Sequence, residues 1–336
     1  MMRSIELIIG FLLCCCIPSG AQRVVVHEQK AFPDSIPAGG YSGVAWLGEN
    51  RYAVVSDITK NDGFFVFHIN IDSKGRVVSA SNQGFRRNGG QGRDSEGIAW
   101  FPSKGTLLIS GEKDNQVREY DLDGKLTGRK LRMPQVFSKA TRAYGLEALT
   151  YHAGTHRFWT TTESTLEGDG PKANATNGVR NLLRLQSFDD NFLPREQYLY
   201  AMDVAEAELQ PQHYAFGVSA LAALDDGRLL VLEREFSVPE SKIGATVCCK
   251  IYLVDTRKEH PVNREGSVKG KKPVAKKLLT EWTTAIGLLD YSIANYEGMC
   301  LGPKLADGGQ VIVLVADSQN QYGGILKDWI RTLVVY

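Results

Sequence analysis

Acidic residues recur at two fixed points of a hairpin-like unit that the sequence repeats five times. Each unit is a short apolar run, a turn rich in Gly, Asp, Asn or Pro, and a second β-rich run that ends in an acid. The five units are YSGVAWLGENRYAVVSD (41–57), SEGIAWFPSKGTLLISGE (95–112), LEALTYHAGTHRFWTTTE (146–163), VSALAALDDGRLLVLE (218–233) and YEGMCLGPKLADGGQVIVLVAD (296–317). The first column, at the start of each unit, reads Ser42, Glu96, Glu147, Ser219 and Glu297. The second column, at the end of each unit, reads Asp57, Glu112, Glu163, Glu233 and Asp317.

Carboxylates gathered in this way would suit metal binding and hydrolysis. Their oxygens are the ligands that Ca²⁺ and Mg²⁺ prefer, and a carboxylate can also act as a general base. Two like charges about 5 Å apart repel by roughly 3 kcal/mol at an effective dielectric constant near 20, so a group of them needs neutralising. Bound divalent cations, raised carboxyl pKa values and the nearby cations Lys113, Arg142 and Arg234 are three ways to achieve this.

β-strands are the elements that must bring the two columns together. Further strand-like segments follow each unit, which gives about four strands per repeat, and no helical periodicity interrupts them. The pattern predicts an all-β fold, a β-propeller of five four-stranded blades. The last unit lacks an outer strand, and we expect RVVVHEQKAF (23–32) to supply it and so close the ring. Extra strands within 164–178 or 264–277 would make six blades, which is the alternative.

A propeller would place both columns at one mouth of its central channel. The first strand of each blade runs along the channel and the second returns antiparallel beside it, so the start of one lies next to the end of the other. The glycine after Glu96 and Glu297 then has a reason, because a residue without a side chain lets crowded backbones approach.

The amino terminus predicts secretion. Residues 1–21 carry Arg3, an apolar run and then small residues, as a signal peptide does, and we expect cleavage before Gln22. Residues 22–336 would form a single domain in the periplasm or outside the cell. A lipoprotein anchor on the cysteines 14–16 is the less favoured alternative, because leucines precede them where a small residue is wanted. No later apolar run is long enough to span a membrane.

The overall composition is that of a globular protein, 43% hydrophobic and 23% charged, with a formal net charge of +1. This near-neutral charge gives no long-range attraction to nucleic acid or to an anionic membrane surface. The partner we expect is a small molecule, and we expect the protein to be a monomer. Three cysteines follow the leader, Cys248, Cys249 and Cys300. They fit neither a disulfide framework nor a C-x-x-C metal site.

Four segments resemble the phytase-like family described as having esterase-like activity of phytase: DSEGIAW, YGLEALTY, FGVSALAALDDGRLLVLEREF, and YEGMCLGP with VIVLVADSQNQYGG. The resemblance spans nearly all of the chain after the leader. It implies a secreted propeller associated with phosphomonoester hydrolysis. The family's acid-small motif falls on Glu96, Glu147 and Glu297, its LERxF segment on Glu233, Arg234 and Phe236, and its closing motif on Asp317, Ser318 and Asn320. The chain departs from the motif at Ser42 and Ser219, so a scheme that needs a complete carboxylate ring does not carry over.

The resulting hypothesis is a divalent-metal-dependent phosphomonoester hydrolase that takes a small phosphorylated substrate. The expected ligands of Ca²⁺, or of Mg²⁺, are Glu96, Glu147, Glu297 and Asp317. The candidate general bases are Glu112, Glu163 and Glu233, and the candidate substrate-binding residues are Lys113, Arg142, Arg234 and Asn320. Two other functions stay open: a lactonase or ester hydrolase of the gluconolactonase type, and a propeller that binds a ligand or partner without catalysis.

Overall fold

Alternating apolar residues, interrupted by turns, fold the described part of the chain into 21 antiparallel strands. The computed structural model describes residues 22–141, 143–207, 211–287, 291–319, 321 and 326–336. The predicted signal peptide, Arg142 and Asn320 lie outside these residues. Two short 3-10 helices, Gln135–Lys139 and Thr256–Lys258, accompany the strands, and the described ranges contain no α-helix. None of their helices could cross a membrane.

The strands group into five sheets, which we number as blades in chain order. The chain begins with β1 (Val24–Val26) and β2 (Lys30–Ala31). Blade 1 is β3 (Gly43–Gly48), β4 (Arg51–Val55), β5 (Asn61–Ile71) and β6 (Val77–Gln91). Blade 2 is β7 (Ser95–Phe101), β8 (Thr106–Gly111), β9 (Gln116–Tyr120) and β10 (Leu126–Lys130). Blade 3 is β11 (Leu146–His152), β12 (Arg157–Thr162), β13 (Arg180–Phe188) and β14 (Pro194–Val204). Blade 4 is β15 (His213–Ala223), β16 (Leu229–Val238), β17 (Thr246–Val254) and β18 (Lys276–Ala285). Blade 5 is β19 (Asn295–Lys304), β20 (Gln310–Asp317) and β21 (Trp329–Val335), completed by β1.

The two ends of the chain close the ring, as the sequence predicts. Strand β1 pairs antiparallel with β21, with Val24 opposite Val335, and β2 extends the same edge with Lys30 opposite Ile330. The fold is therefore a five-bladed β-propeller. The six-blade alternative is wrong, because residues 164–178 and 264–275 form turns and irregular backbone, and residues 276–277 only begin β18 of blade 4.

The core lies between the blades. The first strand of every blade contacts the first strands of its two neighbours, so β3, β7, β11, β15 and β19 surround the central channel. Five apolar clusters each join one pair of adjacent blades. Successive side chains of a strand point to opposite faces of its sheet, so each blade has apolar residues on both faces. Each blade can therefore pack against a neighbour on either side. All three cysteines of the described chain are free thiols.

Candidate active site

Four of the five first-column residues lie at breaks in strand register. The pairing of the first and second strands shifts on either side of Glu96, Glu147, Ser219 and Glu297. A β-bulge of this kind re-aims a side chain out of the regular alternation of a strand. The three glutamates consequently line one cavity at the channel mouth although they come from three separate blades.

The small residue after each column position permits the close approach of adjacent blades. A Cβ atom added to Gly97 would lie 2.5 Å from the carbonyl oxygen of Glu147, and one added to Gly43 would lie 2.2 Å from the carbonyl oxygen of Glu96. Real Cβ atoms essentially never come so near to a backbone atom. The serines of the first column also join blades, because the hydroxyl of Ser42 donates to the Ser95 carbonyl at 2.5 Å and that of Ser219 to the Tyr296 carbonyl at 3.2 Å.

Two overlapping groups of carboxylates form the centre of the site. Oxygens of Glu96, Glu147 and Glu297 lie within 4.8 Å of one another, and so do oxygens of Glu112, Glu147 and Glu163. We call these five glutamates the acid cluster. Glu96, Glu147 and Glu297 are only 7, 5 and 7% exposed, so solvent screens their mutual repulsion poorly.

Burial and mutual repulsion favour the protonated forms of the most buried carboxyl groups in the acid cluster. Burial first, and neighbouring carboxylates second, raise the pKa values of Glu96, Glu147 and Glu297 well above their usual range. The same causes raise the pKa of Asp57, at the rim of the cluster, to about 8. Burial raises the pKa of Glu112 to about 7, although a hydrogen bond from the Gly145 amide at 2.7 Å opposes the rise.

Arg234 is the cation that enters the cluster. Its Nη2 donates to Glu297 Oε1 at 2.8 Å and to Glu163 Oε1 at 3.1 Å, and the side chain is 3% exposed. Burial opposes its charge, but the adjacent acids, Glu297 foremost, raise the pKa of Arg234 overall. Its Nε and Nη1 have no hydrogen-bond partner in the described part of the chain. One guanidinium therefore neutralises only part of the charge that five carboxylates would carry.

Glu233 lies apart from the acid cluster, contrary to the expectation from the repeat. It is buried among Tyr200, whose hydroxyl donates to it at 2.6 Å, Lys276, whose Nζ also lies at 2.6 Å, and the amide of Asp203 at 3.1 Å. Successive residues of a strand face opposite sides of the sheet, so the side chain of Glu233 points away from the channel while that of Arg234 points into it. Arg234 thus takes the second-column place in blade 4.

The remaining predicted residues lie at the edges of the site or outside the described residues. Asp317 is 1% exposed and accepts hydrogen bonds from the Gln319 amide at 2.7 Å and from Asn295 Nδ2 at 3.5 Å. Lys113 is 60% exposed, with its Nζ 3.9 Å from Asp94 Oδ2. The placements of Arg142 and Asn320 are not described, so their substrate-binding roles stay predictions.

Three residues that the sequence reasoning missed also belong here. Asp94 lines the cavity, and Asn295 donates from Nδ2 to Glu297 Oε1 at 2.9 Å. Asn295 stands two residues before Glu297, and that spacing is the signal that would have identified it. Lys172 comes from the long loop of blade 3, where its ammonium group lies over the ring of Tyr144. Partial burial lowers the pKa of Lys172 to about 8, while Glu163 and Glu112 oppose the shift; no local pattern predicts such a loop contact.

The donor set fits a hard divalent cation. All the candidate ligand atoms are carboxylate or amide oxygens, the type that Ca²⁺ and Mg²⁺ select. Two further buried oxygens beside the cluster, Asp57 Oδ1 and Asn295 Oδ1, have no hydrogen-bond partner among the described residues. Buried oxygens that lack donors, next to acids that Arg234 alone cannot neutralise, are what an oxygen-ligated cation would satisfy.

The cavity that contains these groups has a volume of about 530 Å³. Small-molecule sites occupy clefts of about 300–1,000 Å³. Its size therefore suits a small ligand, and seven carboxylates line the described part of its wall: Asp57, Asp94, Glu96, Glu112, Glu147, Glu163 and Glu297.

Comparison with known proteins gives a family and a set of similar folds. The family model described as "Phytase-like: Esterase-like activity of phytase" matches residues 36–319. No curated protein matches the chain. The structure titled "Streptogramin B lyase structure" is similar at 12% identity, over 92% of this chain and 98% of that chain, with a TM-score of 0.39. The C-terminal WD40 domain of Sif2 is similar at 9% identity, over 92% and 99%, with a TM-score of 0.35. A protein of unknown function from Bacteroides thetaiotaomicron VPI-5482 shares 13% identity over 94% and 76%, with a TM-score of 0.39.

Proposed function

The chain belongs to the phytase-like family, and from that premise we propose that it is a divalent-metal-dependent phosphomonoester hydrolase whose active site is the acid cluster. One observation carries the proposal: carboxylates from blades 2, 3 and 5 converge within 4.8 Å in a buried place at the mouth of a cavity. Following the leader sequence, we place the activity in the periplasm or outside the cell, with the mature protein acting as a monomer.

The proposed cation is Ca²⁺ or Mg²⁺, held by Glu96, Glu147 and Glu297, with Asp317 beside them. Bound there, it would supply Lewis acidity, polarising a phosphoryl oxygen and lowering the pKa of water. The protein's own contribution is a fixed set of oxygens, because each glutamate is positioned by a bulge in a strand of the closed inner ring.

Glu112 is the proposed general base. Its pKa of about 7 lets the carboxyl group gain or lose a proton near neutral pH, which suits a base that takes a proton from water. Its orientation is fixed by the hydrogen bond from the Gly145 amide. Glu163 is less suited to this task, because Arg234 already donates to it. Water adds to phosphorus, the ester P–O bond breaks, and the products are inorganic phosphate and an alcohol.

Arg234 is the proposed contact to the substrate phosphoryl group. Arg234 lines the cavity, and its Nε and Nη1 lack partners among the described residues, so its guanidinium can bind phosphoryl oxygens through charge-assisted hydrogen bonds. Lys172 and Lys113 would add positive charge nearer the entrance.

The test is a Ca²⁺ and Mg²⁺ titration of purified residues 22–336 after chelation, with an aryl phosphate, phytate and a lactone as substrates. We expect metal-dependent release of phosphate that falls at least about a hundredfold in Glu96→Gln, Glu147→Gln and Glu297→Gln. Glu196→Gln, an exposed glutamate on blade 3, is the matched control and should keep its activity. Phosphate release that survives both chelation and these substitutions would refute the proposal, and metal-dependent turnover of the lactone alone would shift the reaction to carbonyl esters.

A further inference from the structure

We propose that the substrate is a phosphomonoester with an apolar organic group, aryl or alkyl, and that a polyphosphorylated ring such as phytate is a poor ligand. This inference rests on the proposed function and narrows its substrate class. It follows from the other wall of the cavity, which differs in chemistry from the acid cluster.

That wall is built by an extension of blade 4 past the channel mouth. Strand β15 begins at His213, six residues before the first-column Ser219, whereas β7 and β11 begin one residue before their column glutamates. At about 3.4 Å per residue, the hairpin of β15 and β16 rises roughly 20 Å above the ring of column residues. Among the described first strands, only β15 begins so far ahead of its column residue, and its hairpin borders the site on one side.

The face of the hairpin that meets the cavity changes from charged to apolar along one strand. Arg234, Phe236 and Val238 alternate on β16, so they share a face, and all three line the cavity. On β15, Ala215 pairs with Phe236 and His213 pairs with Val238. Arg234 and Phe236 are thus neighbours on one face of β16, and a ligand bound to Arg234 would also be close to Phe236.

The apolar wall is preformed. Val238 belongs to the apolar cluster between blades 4 and 5, together with Ile286, Ile293 and Leu326, which also line the cavity. Phe236 packs against this cluster and keeps part of its surface exposed. Because these side chains are already packed, an apolar ligand group would displace water from them without ordering a loose surface.

The opposite wall disfavours a polyanion. Seven carboxylates line the described part of the cavity, and Arg234, the buried cation among them, is already shared by two of those acids. A monoester presents one phosphoryl group to the proposed cation and can turn its organic group to Phe236. Each additional phosphate of an inositol polyphosphate would face a described wall made mostly of carboxylates and apolar side chains, where Lys242 is the one lysine, and most of these contacts are unfavourable.

Binding of non-hydrolysable probes to the Ca²⁺-loaded protein tests the inference apart from catalysis. Isothermal titration would compare phenylphosphonate, methylphosphonate and inositol hexakisphosphate. We expect phenylphosphonate to bind at least about tenfold more tightly than methylphosphonate, since the ring removes apolar surface of Phe236 from water. Phe236→Ala should abolish most of that preference and Phe236→Leu should restore much of it. Phe85→Ala, on the outer strand of blade 1, is the control and should leave the preference for phenylphosphonate unchanged.

Equal affinity for the two phosphonates, absence of phenylphosphonate binding, or tighter binding of inositol hexakisphosphate would overturn the inference. So would a preference that persists in a Phe236→Ala protein with the wild-type melting temperature. The two proposals fail differently. A Phe236-dependent preference without any phosphate release would refute the proposed hydrolase and support the proposed ligand class. Equal turnover of aryl phosphate and phytate would support the hydrolase and refute the ligand class.

Discussion

Replacing Arg234 by glutamine tests the electrostatic account of the metal-free site. The guanidinium lies 2.8 and 3.1 Å from two buried carboxylate oxygens. With charge centres about 4 Å apart and an effective dielectric constant near 20, each contact contributes about 4 kcal/mol of attraction, part of which offsets the desolvation of the ions. Removing one partner of a buried ion pair usually costs about 3–5 kcal/mol, and we expect a loss of that size at pH 8.

The loss of unfolding free energy in Arg234→Gln should be smaller at low pH, because protons would neutralise the carboxylates that Arg234 stabilises. At pH 5 we expect less than about 2 kcal/mol, since the raised pKa values of Glu163 and Glu297 leave less negative charge to stabilise. This comparison separates electrostatics from packing, which pH does not change.

Thermal unfolding in EDTA measures both quantities. Unfolding entropies of about 2.1 cal/mol/K per residue convert 3–5 kcal/mol into a fall in Tm of roughly 5–8 °C for a chain of this length. Arg257→Gln is the control, because Arg257 forms a surface pair with Asp255 and is 54% exposed, and its Tm should change by less than about 2 °C. A fall of equal size at pH 5 and pH 8, or no fall at pH 8, would refute the reasoning.

Three further predictions concern the same region. The folded-state pKa values of Asp57 and Glu112, about 8 and about 7, lie above those of an unfolded chain, so this contribution to stability is complete below about pH 4 and is lost as the pH rises through 7 to 8. The Tm of the chelated protein should therefore fall between pH 5 and pH 8.5, and the rise on adding Ca²⁺ should be larger at the higher pH. Gly97→Ala should cost at least about 2 kcal/mol in urea unfolding, because its Cβ would meet the backbone of blade 3. Glu233→Gln should lower the Tm by breaking the buried pair with Lys276 but keep phosphate release within a few fold, whereas Glu112→Gln should lose about a hundredfold.

Each of these has a contrary outcome. A Tm that does not change between pH 5 and pH 8.5 in EDTA would contradict the raised pKa values of Asp57 and Glu112. Gly154→Ala is the glycine control, since the atoms nearest to its Cβ would belong to the His152 side chain, at 3.0 Å, and not to the backbone. Equal losses in the two variants would contradict the close-approach argument. Loss of turnover in a folded Glu233→Gln protein, with Glu112→Gln still active, would indicate that Glu233 and not Glu112 is the general base.

The architecture could be predicted from the sequence because local and global signals agree. Turn residues and alternation mark each strand, the repeat fixes the blade, and β1 supplies the strand that blade 5 lacks. The convergence of Glu96, Glu147 and Glu297 could be predicted for the same reason. In a ring of equivalent blades, equivalent positions meet around the axis.

The parts that could not be predicted depend on single-residue register and on long loops. Glu233 and Arg234 differ by one position, and a shift of one residue moves a strand side chain to the opposite face. The bulges in the first strands have no distinct sequence mark beyond the small residue that follows. Lys172 reaches Tyr144 from a segment whose composition indicates only a surface loop.

The departures from fivefold symmetry give the channel mouth the direction that the proposed site needs. In blade 4 a serine, Ser219, replaces the first-column acid and Arg234 replaces the second-column acid. Among the described first strands, only β15 of this blade extends far past its column residue. Five identical blades would have produced a symmetric ring of like charges with no preferred direction for a ligand. With acids on blades 2, 3 and 5, and a cation followed by Phe236 on blade 4, the cavity has a polar end and an apolar end. A ligand with the same two ends can bind in one orientation, and that fixed orientation is what a hydrolytic site requires to bring one bond to its base.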